Sequence, residues 1–212
     1  MKLYLSSFRI GSDPTKLTEL FSANKKAAVI ANAMDFLEKP ERDKSVQQEI
    51  DDLTNLGLTA EELDLRDYFD KSKYLNKKLN AYGLIWVNGG NTFILRRAMA
   101  QSGFDKLLRK KNNDSDFVYV GYSAGACVIS QTLRGLELVD NPHRIPYGYK
   151  SNVIWNGIDI INFSIVPHYR SNHPESAEVE KIVEYFTKKK MPFKTLRDGE
   201  VIIVAGKGSR GN

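Results

Sequence analysis

The feature that most constrains the fold is an apolar run that ends in a serine flanked by glycines. Residues 117–120 read Phe-Val-Tyr-Val, and residues 121–125 read Gly-Tyr-Ser-Ala-Gly. The run predicts a buried strand, and the small residues from Ala124 predict a helix that continues to Thr132. Gly-x-Ser-x-Gly alone also occurs by chance in turns, but between a strand and a helix it is typical of a nucleophile elbow. We therefore predict that Ser123 is a nucleophile at a sheet edge.

Composition limits the classes of protein. With 212 residues, of which 42% are hydrophobic, the chain can form one α/β domain. Its single cysteine, Cys127, excludes an intrachain disulfide and fits a reducing compartment; we interpret it as a small buried residue. The net charge of +5 is scattered, and its short lysine and arginine clusters fall at predicted helix ends. We expect a cytoplasmic protein, a monomer or homodimer, that binds neither nucleic acid nor membrane.

Strand and helix patterns alternate along the chain. Strands are predicted over 3–7, 27–31, 63–65, 83–87, 117–121, 163–168 and 201–204, with a further short one within 133–140. The main amphipathic helices are predicted over 46–56, from 93 onwards and over 175–190, and a long loop over 141–156. This alternation favours a single-domain α/β fold, a mostly parallel, doubly wound sheet with helices on both faces. The domain is expected to span 1–205, followed by a flexible tail over 206–212.

A serine hydroxyl needs a base, and the chain has three histidines. His168 ends a predicted strand, which places it at the sheet edge where Ser123 emerges. We therefore predict His168 as the base and His173 as the second choice. The base also needs an orienting carboxylate, and the acids between Ser123 and His168 are the candidates. Glu137 is the first choice, Asp140 the second, and Asp159 is expected at the opposite edge.

The turn Asn-Gly-Gly-Asn-Thr at 88–92 follows another buried strand. Its glycines permit close approach of the backbone to a ligand, so the N–H groups of Gly90 and Ala124 are predicted to form an oxyanion hole. The same turn is also expected to cap the next helix through Asn91 or Thr92. No cluster in the sequence has metal-ligand spacing, and we expect neither a metal nor a cofactor.

Three motifs together resemble the peptidase E family of serine peptidases, family S51, which includes α-aspartyl dipeptidase and cyanophycinase. They are Asn-Gly-Gly-Asn-Thr-Phe at 88–93, Gly-Tyr-Ser-Ala-Gly-Ala at 121–126 and Val-Pro-His-Tyr at 166–169. The resemblance implies a class I glutamine-amidotransferase-like fold and metal-free hydrolysis of peptide bonds next to acidic residues. It also implies that Ser123 is the nucleophile, His168 the base, and Gly90 and Ala124 the oxyanion donors, with Glu137 nearest the expected place of the acid.

The prediction is thus a serine peptidase that hydrolyses short peptides, including Asp-x dipeptides, through an acyl-enzyme. Asn91, Tyr169 and Arg170 are the candidates for substrate binding, although Arg170 does not match the position of the basic residue in aspartyl dipeptidases. The alternatives are an esterase-type α/β hydrolase, which shares the elbow and the order of Ser, acid and His, and a catalytically silent binding module on the same fold.

Overall fold

Six strands form the main sheet. The computed structural model describes residues 1–204, so the tail predicted for 206–212 lies outside the described residues. The strands are β1 (Lys2–Ser6), β2 (Lys26–Ile30), β3 (Thr59–Glu62), β4 (Leu84–Val87), β5 (Val118–Tyr122) and β8 (Val201–Val204). Their order across the sheet is β3-β2-β4-β5-β1-β8, and all neighbours run parallel except β8, which pairs antiparallel with β1. The predicted mostly parallel sheet is confirmed.

Helices cover both faces of this sheet. They are α1 (Thr15–Thr18), α2 (Lys39–Asn55), α3 (Ser72–Leu79), α4 (Thr92–Ser102), α5 (Phe104–Lys111), α6 (Ala124–Cys127) and α7 (Ser176–Lys189). Strand β4 shows why two layers are needed: Leu84 and Trp86 pack into the apolar cluster on one face, and Ile85 and Val87 into the cluster on the other. Because both faces of the central strands are apolar, each face must be covered.

A separate pair of parallel strands follows the elbow helix. Strand β6 (Ser164–Val166) pairs with β7 (Phe193–Thr195), and α7 connects them. Val166 and α7 share a third apolar cluster, in which Phe186 is fully buried. This ribbon carries His168 just beyond β6, so the histidine follows a strand as predicted, but the strand belongs to the ribbon instead of the main sheet.

Three local predictions were wrong, and one strand was missed. The strand predicted at 63–65 lies earlier, as β3, and the leucines that suggested it are buried in the core beyond its end. Residues 133–140 contain a short 3₁₀ helix, Leu136–Leu138, and no strand. The helix after Ser123 ends at Cys127 instead of Thr132, and β7 was not predicted. Polar edge strands such as β3, with the sequence Thr-Ala-Glu-Glu, lack the hydrophobic signal on which the predictions relied.

The turn between β5 and α6 requires glycine for close packing. A Cβ at Gly125 would lie 2.2 Å from the carbonyl oxygen of Val87, and one at Gly121 would lie 2.3 Å from the carbonyl oxygen of Gly125. Both distances are far inside van der Waals contact, and the opposing atoms are backbone atoms that cannot move aside. The elbow can therefore form only if positions 121 and 125 have no side chain.

We predict that Gly125→Ala destabilises the fold by at least about 2 kcal/mol, because overpacking against backbone forces the sheet and α6 apart. Gly57→Ala is the matched control: Gly57 has φ +86° but nothing within 4 Å of a built Cβ. Its cost is backbone strain alone, about 1 kcal/mol. Urea unfolding of both variants measures the difference, and equal losses would show that close packing at the elbow is not required.

Candidate active site

Ser123 follows β5 directly and has an unusual backbone conformation. Its φ is 47° and its ψ is −115°, a region that residues with a side chain rarely adopt. Its N–H donates to the carbonyl oxygen of Ser6 at 3.2 Å, which ties the turn to the end of β1. The sharp turn directs the hydroxyl away from the sheet edge, as a nucleophile elbow requires.

The imidazole of His168 meets this hydroxyl. The distance between His168 Nε2 and Ser123 Oγ is 3.1 Å, although the two residues come from the main sheet and the separate ribbon. His168 is 2% exposed, and its main-chain N–H donates to Ser7 Oγ at 2.7 Å. The structure therefore brings together the two side chains that the sequence paired.

Asp198 holds the other side of the imidazole. His168 Nδ1 lies 2.7 Å from Asp198 Oδ1, and a carboxylate can only accept, so the ring donates from Nδ1. Neutral His168 then has its lone pair on Nε2, facing the serine. Ser7 Oγ donates to the same carboxylate oxygen at 2.7 Å, and the N–H of Asp198 donates to Ser171 Oγ at 2.8 Å.

Glu137 is not the partner of His168, which corrects the first choice made from the sequence. Its carboxylate accepts the N–H of Gly135 at 2.5 Å, inside its own turn. The prediction considers only acids between Ser123 and His168, but a triad is defined by geometry, and the order of its members along the chain varies. Asp198 begins the Asp-Gly turn before β8, and no local signal in the sequence marks it as the acid, because only the pairing of β8 with β1 brings it to the imidazole. Ser7, which directly follows β1, was also missed.

Asp140, the second choice, lines the pocket beside Ser123 but does not contact His168 in the hydrogen-bond pattern. Its Oδ2 accepts the N–H of Thr92, the first residue of α4, at 2.8 Å. Burial raises the pKa of Asp140 to about 6, with Glu175 adding to the rise and the Thr92 hydrogen bonds opposing it. Asp159 is exposed, and its N–H donates to the carbonyl oxygen of Ser130.

His173 stacks on His168. The ring centroids are 3.7 Å apart and the planes differ by 9°. The N–H of Glu175 donates to His173 Nδ1 at 3.3 Å, which fixes the orientation of the stacked ring. Burial lowers the pKa of His168, and repulsion from a charged His173 lowers it further, while Asp198 opposes both effects. His173 therefore forms one wall of the site and favours the neutral base.

His168, His173 and Glu175 are also the one group among residues 1–204 whose ligand atoms could surround a metal, all within 4.8 Å of one another. Parallel imidazole planes direct their in-plane lone pairs side by side, not toward one point. In addition, both ring nitrogens of His168 already have partners in Ser123 and Asp198. The arrangement fits a stacked pair better than a chelate.

The backbone amides predicted for the oxyanion hole lie in the same place. Gly90 and Ala124 both line the pocket that contains Ser123 and His168. Neither amide donates to another main-chain group among the residues described. Gly90 has φ +128°, and a Cβ there would lie 2.6 Å from the carbonyl oxygen of Ala33. Glycine is therefore required for this turn to reach its position beside the elbow.

The three candidates for substrate binding have other contacts. Asn91 caps α4: its Oδ1 accepts the N–H groups of Phe93 and Ile94, and its Nδ2 donates to the carbonyl oxygen of Asn141. Arg170 is exposed and pairs with Glu180 at 3.2 Å. Tyr169 packs against the ribbon cluster. None of the three lines the two pockets that open beside Ser123.

A serine on a strand–turn–helix elbow, facing an imidazole at the edge of an α/β sheet, defines the class of serine hydrolases. Comparison with known proteins narrows this class. The model of peptidase family S51 matches residues 14–210, almost the whole chain. The chain therefore belongs to peptidase family S51 and is a serine-type peptidase.

Several known proteins are similar to this chain in sequence or in fold. An uncharacterized peptidase of Listeria monocytogenes, Lmo0363, is 29% identical over 155 residues, 73% of this chain and 71% of its own. A Drosophila melanogaster protein named a probable α-aspartyl dipeptidase is 28% identical over 127 residues, 58% of this chain and 50% of its own. A crystal structure described as a candidate peptidase E protein from Listeria monocytogenes EGD-e superposes with a TM-score of 0.78 at 26% identity, covering 97% of this chain and 95% of that one.

Within residues 1–204, the helices are too short or too polar to span a membrane.

We predict that His173→Asn moves the acidic limb of the kcat/KM profile to higher pH. The base acts when neutral, so activity falls as pH drops through the lowered pKa of His168; removal of His173 removes one cause of that lowering. His143→Asn is the matched control, since His143 is exposed and is not part of the stack. An acidic limb that stays at the same pH in His173→Asn would contradict this account.

We predict that Asp140→Asn stabilises the folded protein at pH 8 by about 1–3 kcal/mol, at about 1.4 kcal/mol per unit of pKa change. The pKa of Asp140 is raised to about 6, so its ionised form is disfavoured by folding. The loss of folding stability from ionised Asp140 is therefore present in full at a pH above its folded pKa, and it is absent at a pH below the ordinary pKa of 3.8. Asparagine keeps the acceptor for Thr92. Urea unfolding at pH 8 and at pH 3.5 measures the effect, and a gain of equal size at both values would rule out ionisation as its cause.

Proposed function

We propose that this chain hydrolyses peptide bonds of short peptides through an acyl-enzyme formed on Ser123. The observation that carries the proposal is the continuous line of hydrogen bonds from Ser123 Oγ through His168 to Asp198, at 3.1 Å and 2.7 Å. Membership of a peptidase family supports peptides as the substrate class. The name of the Drosophila relative supports a dipeptidase.

In the first step, Ser123 Oγ attacks the carbonyl carbon and its proton moves to His168 Nε2. Asp198 accepts the Nδ1–H of the ring and stabilises the imidazolium that forms. The tetrahedral intermediate carries a negative oxygen, which the N–H groups of Gly90 and Ala124 stabilise; losing one such donor typically costs about 3 kcal/mol. The C–N bond then breaks as His168 gives its proton to the departing amine.

In the second step, water takes the place of the departed amine. His168, neutral again, accepts a proton from the water as its oxygen attacks the acyl carbon. A second tetrahedral intermediate forms in the same oxyanion hole, and the ester bond to Ser123 Oγ breaks as His168 returns the proton to that oxygen. The products are the acid, the amine and the unchanged enzyme.

Ser7 and Ser171 are proposed as positioning residues. Ser7 donates to the Asp198 carboxylate and accepts the main-chain N–H of His168, so it fixes acid and base relative to each other. Ser171 accepts the N–H of Asp198. These contacts limit rotation of the carboxylate, which preserves the tautomer of His168 that keeps a lone pair on Nε2.

We expect Ser123→Ala to abolish dipeptide hydrolysis and labelling by a fluorophosphonate probe while the melting temperature stays close to that of the wild type. Asp198→Asn should lower kcat by about 10³-fold or more, since an amide favours the wrong tautomer of the base. Glu137→Gln is the matched control and should retain the wild-type kcat. Hydrolysis by Ser123→Ala at the wild-type rate would refute the mechanism, and a larger loss in Glu137→Gln than in Asp198→Asn would assign the acid to Glu137.

A further inference from the structure

Two adjoining pockets open on Ser123, and the charged or readily charged side chains that line them are acids and histidines. Asp140 and Glu175 line the first pocket, and Glu175 also lines the second, next to His173. The rest of the first pocket is largely apolar. Its apolar side chains belong to Cys127, Leu136, Val139, Val179 and Ile182.

No lysine or arginine lines either of these pockets among the residues described. Arg170, the cation nearest to His168 in sequence, is exposed and pairs with Glu180. Arg144 lies over the ring of Phe36 at 4.1 Å; Phe36 lines the second pocket, but Arg144 lines neither pocket. The first pocket therefore presents carboxylates without a cation of the protein to neutralise them.

The two carboxylates act on each other. Glu175 contributes to the raised pKa of Asp140, and both acids contribute to the raised pKa of the buried Cys127 thiol, after burial itself. Within residues 1–204, neither acid forms an ion pair with lysine or arginine, and Glu175 approaches His173 Nδ1 at 4.0 Å. Two carboxylates without a lysine or arginine partner favour a positively charged ligand between them.

We propose that the first pocket binds the free α-ammonium group of a peptide whose amino-terminal side chain is uncharged and apolar. The proposal rests on the proposed function, since it assumes that Ser123 attacks the carbonyl of that residue. An α-ammonium is two bonds from the carbonyl carbon of its own residue, so its capture beside Ser123 selects the first peptide bond.

An amino-terminal aspartate is the wrong substrate for such a pocket. Its side-chain carboxylate would meet Asp140 or Glu175 and find no guanidinium or ammonium there. Burial of an unpaired charge beside like charges is strongly unfavourable. The enzyme is therefore an aminopeptidase-like dipeptidase for neutral residues, and its preference differs from that named for the Drosophila relative.

The test compares three dipeptides on the wild-type enzyme: Leu-Gly, Asp-Gly and N-acetyl-Leu-Gly. We expect kcat/KM for Leu-Gly to exceed each of the others at least tenfold. Asp140→Asn should raise KM for Leu-Gly at least tenfold and leave KM for the acetylated peptide within twofold, so that the advantage of a free amine disappears. Asp159→Asn is the matched control. It removes an exposed acid at a position with positive φ, which asparagine also adopts, and it should keep the wild-type ratio of kcat/KM for the free and the acetylated peptide.

A second measurement does not depend on the folding of a variant. Leucinamide should slow fluorophosphonate labelling of wild-type Ser123 at concentrations at which N-acetyl-leucinamide and aspartate have no effect. Faster hydrolysis of Asp-Gly than of Leu-Gly, equal hydrolysis of free and acetylated peptides, or an unchanged ratio in Asp140→Asn would overturn the inference while leaving the peptidase intact. Failure to hydrolyse any of the three peptides, in folded protein without a label at Ser123, would instead overturn the proposed function.

Discussion

The active geometry depends on one carboxylate oxygen. Asp198 Oδ1 accepts from His168 Nδ1 and from Ser7 Oγ, both at 2.7 Å. Those partners lie 30 and 191 positions away in the chain. Such distant contacts form only after the intervening chain has been ordered, at a substantial cost in conformational entropy.

This oxygen joins three parts of the fold. Ser7 follows β1 in the main sheet, His168 follows β6 in the ribbon, and Asp198 lies in the turn that enters β8. The antiparallel pairing of β8 with β1 sets the position of that turn, with Val201 opposite Ser6. The base is therefore oriented only when the last strand has docked on the sheet, and the site is a property of the complete fold.

The sequence predicts those parts of the site that have a local signature, and it does not predict those that depend on pairing between distant strands. The elbow at Ser123 has a local signature of strand, glycines and small residues, and His168 was found because it follows a short apolar strand in a chain with three histidines. Asp198 has no local signature: Asp-Gly is an ordinary turn, and only the register of β8 against β1 brings it to the imidazole. The polar strand β3 and the 3₁₀ helix at Leu136–Leu138 were missed because tertiary contacts, not periodicity, determine them.

The contrast between the buried acids shows why the pocket charge is significant. Asp35 is buried and lies 2.6 Å from Arg42, and Asp105 is buried and lies 3.0 Å from Arg96. Each of these two acids has a guanidinium beside it, because an unpaired buried charge is costly. Asp140 has a main-chain amide instead, at the edge of a pocket that leads to Ser123.

The segment that follows Asp140 keeps this arrangement in place. Arg97 is 1% exposed, and it donates to the carbonyl oxygens of Pro142 at 2.6 Å and Asn152 at 3.0 Å. Tyr149 donates to the buried Asp35. Residues 141–152, which follow Asp140 directly, are thus held against the core at both ends. The carboxylate of Asp140 is itself held beside the pocket by the N–H of Thr92, and above its pKa of about 6 it presents a negative charge that the substrate must complement.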